Sequence, residues 1–177
     1  FTHAVTTGAL VGSDTLSGAL ARNAGENVGS YAITQGTLAA NANYTLTFGG
    51  GSFAITPKPI TLTANSGQTK IYGATDPVTL TYTVPVGALV GSDAVTGTIV
   101  RATGENVASY AIAQGTLSAG ANYTLSFVPA NFTITPKPIT ITANSGQAKT
   151  YGTNDPDTFT YTVPAGALVG TDALSGA

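Results

Sequence analysis

A segment that returns at constant spacing constrains this chain more than any other feature. Gly8-Ala9-Leu10-Val11-Gly12-Ser13-Asp14 reappears as Gly87 to Asp93 and again as Gly166 to Asp172, with Thr171 in place of the serine. Each step is 79 residues (87 − 8, then 166 − 87). The register holds elsewhere without insertion. Gly25-Glu26-Asn27-Val28 matches Gly104 to Val107, Asn43-Tyr44-Thr45-Leu46 matches Asn122 to Leu125, and Thr63 to Gln68 matches Thr142 to Gln147. The 177 residues therefore hold little more than two periods of one unit. We cut them as the C-terminal part of a repeat over 1–57, a complete repeat over 58–136 and the N-terminal part of a third over 137–177.

A unit of this size can fold alone but buries a modest share of its surface. The chain has no cysteine, so no disulfide staples it and no thiolate binds zinc. Neighbouring copies in the same chain are therefore expected partners. Charged residues make up 8%, against about 25% in an ordinary soluble domain. The complete repeat sets Lys58, Lys70 and Arg101 against Asp76, Asp93 and Glu105, and is neutral. It has no basic face to hold nucleic acid or an anionic membrane. No run of about 18 apolar residues offers a membrane insertion segment. No signal peptide is seen, but the first residue lies inside a repeat, so this says nothing about export. Freedom from cysteine suits a chain threaded unfolded through an export pore, and secretion is the expectation.

Alternating β-branched or aromatic and polar residues predict short strands. They cover Pro59–Ala64, Thr69–Tyr72, Thr79–Val84, Val95–Arg101, Val107–Ile112, Tyr123–Phe127 and Phe132–Ile134. Turns fall at Asn65–Gln68 and Gly73–Pro77, and Pro85–Asp93 is Gly-rich with room for a helical turn at Ala88–Val90. Seven short strands per repeat point to an all-β chain of tandem Ig-like β-sandwich modules, with a β-grasp-like arrangement as the alternative. Replacements between copies support a core. Leu80 is Phe1 and Phe159 elsewhere, which fits a buried slot, and Ile99 is Leu20. The junction Thr56-Pro57-Lys58-Pro59 recurs as Thr135-Pro136-Lys137-Pro138. Its two prolines fix φ and predict a short, semi-rigid connector and an elongated string of monomeric modules. The partial copies at either end are expected to expose unpaired strand edges.

Tyr72-Gly73 with Asp76-Pro77, Leu89-x-Gly91-x-Asp93, Arg101-x-x-Gly104-Glu105-Asn106-Val107, Tyr110-x-Ile112, Asn122-Tyr123 and Phe132-Thr133-Ile134 together resemble the MBG (mostly β, glycine-rich) modules. These occur in tandem in large bacterial surface proteins, including filamentous-haemagglutinin-like adhesins. The resemblance implies an extracellular, cell-surface or secreted protein connected with adhesion or biofilm, and it supplies no catalytic residue.

Each chemistry-bearing residue also has a plainer reading. His3 is the only histidine, and its counterparts are Tyr82 and Tyr161, so a Ser/His/Asp triad has no base in the complete repeat. Asp76, Asp93 and Glu105 could serve as paired carboxylates. More simply, Asp76 starts a turn before Pro77, Asp93 caps a turn, and Glu105 pairs with Arg101. No Asp-x-Asp-x-Asp-Gly cluster offers calcium its oxygens. The Gly-rich stretches Gly87–Gly91 and Gly104–Asn106 lack the helix of a phosphate cradle. An intramolecular isopeptide bond would need a buried Lys70 or Lys58 beside Asn65, Asn106 or Asn122 with Glu105, and the sequence shows no lysine burial. The glycosylation patterns at Asn43, Asn122 and Asn131 are coincidences of Thr-rich strands. Tyr31, Tyr44, Tyr110 and Tyr123 could stack on sugars, or pack across strands. No catalytic, cofactor or metal residue is assigned. The expected function is a structural spacer or stalk repeat of a surface adhesin or biofilm-matrix protein, not an enzyme. The alternative is a repeat that itself binds a glycan or a host or matrix protein, and exposed edges also invite lateral self-association.

Overall fold

The computed structural model describes residues 1–175, so Gly176 and Ala177 of the third copy lie outside the described residues. Among the described residues there is no helix, and the all-β expectation holds. The β-grasp alternative therefore has no helix to wrap, and Ala88–Val90 is irregular, with a bend at Leu89, between turns at Val86–Gly87 and Gly91–Ser92. The strands are β1 Ala21–Arg22, β2 Gly29–Thr34, β3 Gly51–Ile55, β4 Lys58–Ala64, β5 Gln68–Ile71, β6 Tyr82–Thr83, β7 Val100–Arg101, β8 Ala108–Ala113, β9 Tyr123–Val128, β10 Ala130–Thr135, β11 Thr142–Ala143 and β12 Tyr161–Thr162. The complete repeat thus holds seven of them, β4 to β10.

The chain divides into two compact units. The first comprises Phe1–Thr61, Val86–Thr96 and Ser118–Ser126. Its sheet has the order β1-β2-β3, antiparallel, with Tyr31 opposite Phe53. Phe1 meets Phe53 edge to face at 5.7 Å between ring centroids. Only Thr56 and Pro57 separate β3 from β4, so the proline junction is short, as expected. Lys58 carries it directly into a strand and donates from Nζ to the Gly87 carbonyl at 2.9 Å.

The second unit comprises Leu62–Pro85, Gly97–Leu117 and Phe127–Ala177. Its main sheet has the order β5-β10-β8-β7. β10 runs antiparallel to β8, with Phe132 opposite Tyr110, and parallel to β5, with Ile134 opposite Lys70. Alternation explains the core, since every second residue of a strand faces the same side. Leu62 and Ala64 on β4, Ile112 on β8, and Phe132 and Ile134 on β10 are buried, joined by Ile99 and Leu117. Full burial of a side chain such as Leu62 or Phe132 contributes about 1.5–3 kcal/mol. β4 also lies between β6 and β9 in a three-stranded sheet. Leu80, Tyr82 and Val84 share the half-buried face expected of them, but only Tyr82–Thr83 forms a ladder. The slot of Leu80 is half-buried, not buried, and its counterparts Phe1 and Phe159 are exposed.

The partial copies show what a ladder requires. Tyr44 to Phe48 nearly repeats the sequence of β9 but forms no strand. Likewise Gln147–Thr150, the counterpart of β5, is not a strand. Ile139 and Ile141, counterparts of Ile60 and Leu62, are exposed. A β segment is stable when its neighbours are present, whatever its own propensity.

Candidate functional site

Four of the six charges of the complete repeat gather in one place. Lys70 projects from β5 and Arg101 from β7, Asp76 follows the turn after β5, and Glu105 lies in the loop before β8. Lys70 Nζ lies 2.7 Å from Asp76 Oδ1 and also meets Glu105 Oε2. The Arg101 guanidinium donates from Nε to Asp76 Oδ2 at 2.8 Å and from Nη2 to Asp76 Oδ1 at 3.0 Å and Glu105 Oε1 at 2.6 Å. Its Nη1 donates to the carbonyls of Ala102 at 2.9 Å and Gly104 at 2.7 Å. A guanidinium has five N–H donors, and five contacts are made. The cation also lies over Tyr110 and Phe132, 5.2 and 5.3 Å from the ring centroids.

Burial is uneven. The Lys70 and Arg101 side chains are 5% and 8% exposed, those of Asp76 and Glu105 44% and 67%. The cations sit at the edge of the core and the acids cover them from the solvent side. Hydrogen bonds from Arg101 and then Lys70 lower the Asp76 pKa to about 2. Lys70, then Arg101, hold the Glu105 carboxyl below its usual range. Asp76 and Glu105 in turn raise Lys70, and Asp76 first among its partners raises Arg101. All four groups are therefore fixed in their charged forms at neutral pH.

That state decides the chemistry. Two carboxylates neutralised by two cations cannot act as a proton donor and acceptor pair, which requires one raised pKa. The expectation that no lysine is buried is corrected: Lys70 is buried, because its charge is paired twice. Its neighbours are acids rather than the asparagines an isopeptide bond was expected to use. Asn65 bonds Thr81 and Thr83, and Asn122 bonds Asn27. Amide formation needs a neutral amine and a protonated acid, and every shift runs the other way. Asp76 is therefore more than a turn residue, whereas the pairing of Glu105 with Arg101 is as expected.

Each partial copy carries half of the cluster. Arg22 bonds Glu26 at 2.5 Å and lies over Tyr31 and Phe53. Lys149 pairs with Asp155 at 2.5 Å. A methyl group on Gly104 would fall 2.2 Å from Tyr110 Cε1 at a φ of +141°, so only glycine lets the ring slide beneath the guanidinium.

The four tyrosines weighed as a sugar platform have their hydroxyls engaged at home. Tyr31 donates to Asn27 O and Tyr110 to Asn106 O. Tyr44 donates to Asp14 Oδ2 at 2.7 Å and Tyr123 to Asp93 Oδ2 at 2.6 Å, and both accept from the backbone N–H of Val11 or Val90. This tyrosine–aspartate latch was missed in the sequence. Its signal was the constant spacing of 30 residues between Asp14 and Tyr44 and between Asp93 and Tyr123. The bond to Asp93 raises the Tyr123 pKa. His3 is exposed. Among the described residues, no group of three or more His, Cys, Asp and Glu is placed to hold a metal ion.

The family model described as MBG domain (YGX type) matches residues 1–54 and 60–133, well over half of the chain. No curated protein and no solved structure matches.

Proposed function

Because this chain belongs to the MBG domain family of the YGX type, we propose that its repeats are structural spacers that hold an adhesive or secretion-linked part of a bacterial surface protein away from the cell. One observation carries the reading. All five Arg101 donors are bound, both cluster acids are neutralised, and the hydroxyls of Tyr110 and Tyr123 are latched to their own loops. A spacer needs self-contained units, and this is how one is built from very few charges. On this reading the chain is not an enzyme, the protein is extracellular, and 58–136 is one module.

The competing reading is a repeat that itself binds a glycan or matrix protein. A glycan array and a panel of immobilised matrix proteins probed with the whole chain separate the two. The spacer reading expects no saturable binding in the micromolar range. Saturable binding that disappears in Tyr110→Ala or Tyr123→Ala, with the fold retained by circular dichroism, refutes it.

A further inference from the structure

The Tyr-Gly pair after β5 has no role in the ion cluster, yet it stands in different surroundings in two copies of the same repeat. Tyr72 is half-buried, while its counterpart Tyr151 is fully exposed. A methyl carbon placed on Gly73 would fall 2.5 Å from Cγ2 of Val169, whereas one on Gly152 would meet nothing within 4 Å. The two glycines share the same backbone, at φ +82° and +84°. They differ in that Val169 stands against Gly73.

The residue that Gly73 meets shows the same pattern from the other side. Val11 and Val90, which stand against no Tyr-Gly pair here, are 73% and 59% exposed. Val169, their counterpart, is half-buried. Asp172 lies on the same loop as Val169, and its carboxylate raises the pKa of the Tyr72 hydroxyl. The backbone presents the pair firmly, since Tyr72 N–H donates to Thr135 O at 2.8 Å and Ala74 N–H closes a turn on Ile71 O at 3.0 Å.

The other half of the arrangement appears one period earlier. Val28 N–H donates to Asn122 Oδ1 at 2.9 Å, and Asn122 Nδ2 donates to Asn27 Oδ1 at 3.0 Å. The Gly-Glu-Asn-Val loop of the first copy thus grips the Asn-Tyr-Thr segment of the second. The compact units follow these contacts rather than the period. Residues 86–96 and 118–126 of the second copy belong with the first, and the third copy belongs with most of the second.

We propose that the Tyr-Gly pair and the Gly-Glu-Asn-Val loop are the joint of the array: Tyr72 and Gly73 of one repeat receive the valine and aspartate of the next repeat's Gly-Ala-Leu-Val-Gly-Ser/Thr-Asp loop, while Asn106 and Val107 hold that repeat's Asn-Tyr segment. This deepens the spacer reading and takes from it only that repeats follow one another.

The test is hydrogen exchange on the whole chain, read at the turn amides of Ala167 and Asp172, which bond Pro164 O and Val169 O. Tyr72→Ala and Gly73→Ala are expected to speed exchange there about tenfold, as local opening becomes easier. Tyr151→Ala and Gly152→Ala, the same changes at a pair with no such loop against it, are expected to leave those rates alone. Parent rates in the first pair, or equal acceleration by Gly152→Ala, overturn the joint. Should Tyr72→Ala unfold the complete repeat, Val169→Asp reads the contact from the opposite face. It is expected to speed exchange at the Ala74 amide, and an unchanged rate there overturns the proposal. Ligand binding by the chain would remove the spacer reading yet leave these rates as they are.

Discussion

Replacing Arg101 by lysine keeps the charge and removes the fork, which isolates what the fork does. An ammonium has three donors, and five acceptors face the guanidinium. At least two go unmet. The carboxylates of Asp76 and Glu105 are partly exposed and can turn to water, so the loss falls on the carbonyls of Ala102 and Gly104. Two lost bonds at about 0.5–1.5 kcal/mol each, with about 0.5–1 kcal/mol for stacking on Tyr110 and Phe132, put the cost near 2–3 kcal/mol. A unit of this length has about 4–12 kcal/mol in all at ordinary stability per residue, and its Tm is expected to fall by roughly 10–20 °C. Urea unfolding followed by far-UV circular dichroism measures the difference. Arg22→Lys is the control within the chain. Arg22 bonds only Asn23 O, Gly25 O and Glu26 Oε1, which three donors can match, and its change is expected to cost under about 1 kcal/mol. An Arg101→Lys variant within about 0.5 kcal/mol of the parent, or one no worse than Arg22→Lys, refutes the donor count as the source of stability.

The folded pKa of Asp76, about 2, is depressed, so its stabilisation is present above the unfolded value and lost as pH falls through the folded one. Urea midpoints are therefore expected to drop between about pH 4 and pH 2, and Asp76→Asn should flatten that limb; an unflattened limb places the acid sensitivity elsewhere. Leu62→Ala, at a fully buried position, is expected to cost about 2–5 kcal/mol in the same assay, and a cost below about 1 kcal/mol would show that the site collapses freely. Tyr123→Phe removes the donor to Asp93 and leaves Val90 N–H without its acceptor, for an expected loss of about 1–2 kcal/mol. A peptide with the sequence of Lys58–Ala64 is expected to add as a strand to the groove of about 760 Å³ in the first copy, lined by Leu10, Leu38, Leu46 and Phe48. Protection of the amides from 44 to 48 should rise with this peptide and not with a scrambled one.

Much of the fold was legible because alternation is a strong signal where a strand has one buried face. Pro59–Ala64 and Phe132–Ile134 show this, with Ile60, Leu62, Phe132 and Ile134 all buried. The sequence could not say which strands pair. Tyr44 to Phe48 and Tyr123 to Phe127 look alike on paper, and only the second is a strand, since only it has β4 beside it. The cluster was half legible. Glu105 follows Arg101 by four residues, and their pairing was expected. Lys70 reads as an ordinary surface residue on a short edge strand, and its burial depends on Asp76 and Glu105 arriving from separate loops. The latch between Tyr123 and Asp93 and the crowding of Gly73 by Val169 are contacts of chain-distant residues, which periodicity alone cannot orient.

The parallel pairing of β10 with β5 has a mechanical consequence. Pulling β5 and β10 apart along their own axes loads this ladder in shear, so Phe132, Thr133, Ile134 and Thr135 must slide past Gln68, Thr69, Lys70 and Ile71 together. Shear of that kind resists force far better than peeling pairs apart one at a time, and Lys70, bolted to Asp76 and Glu105, lies inside the loaded segment.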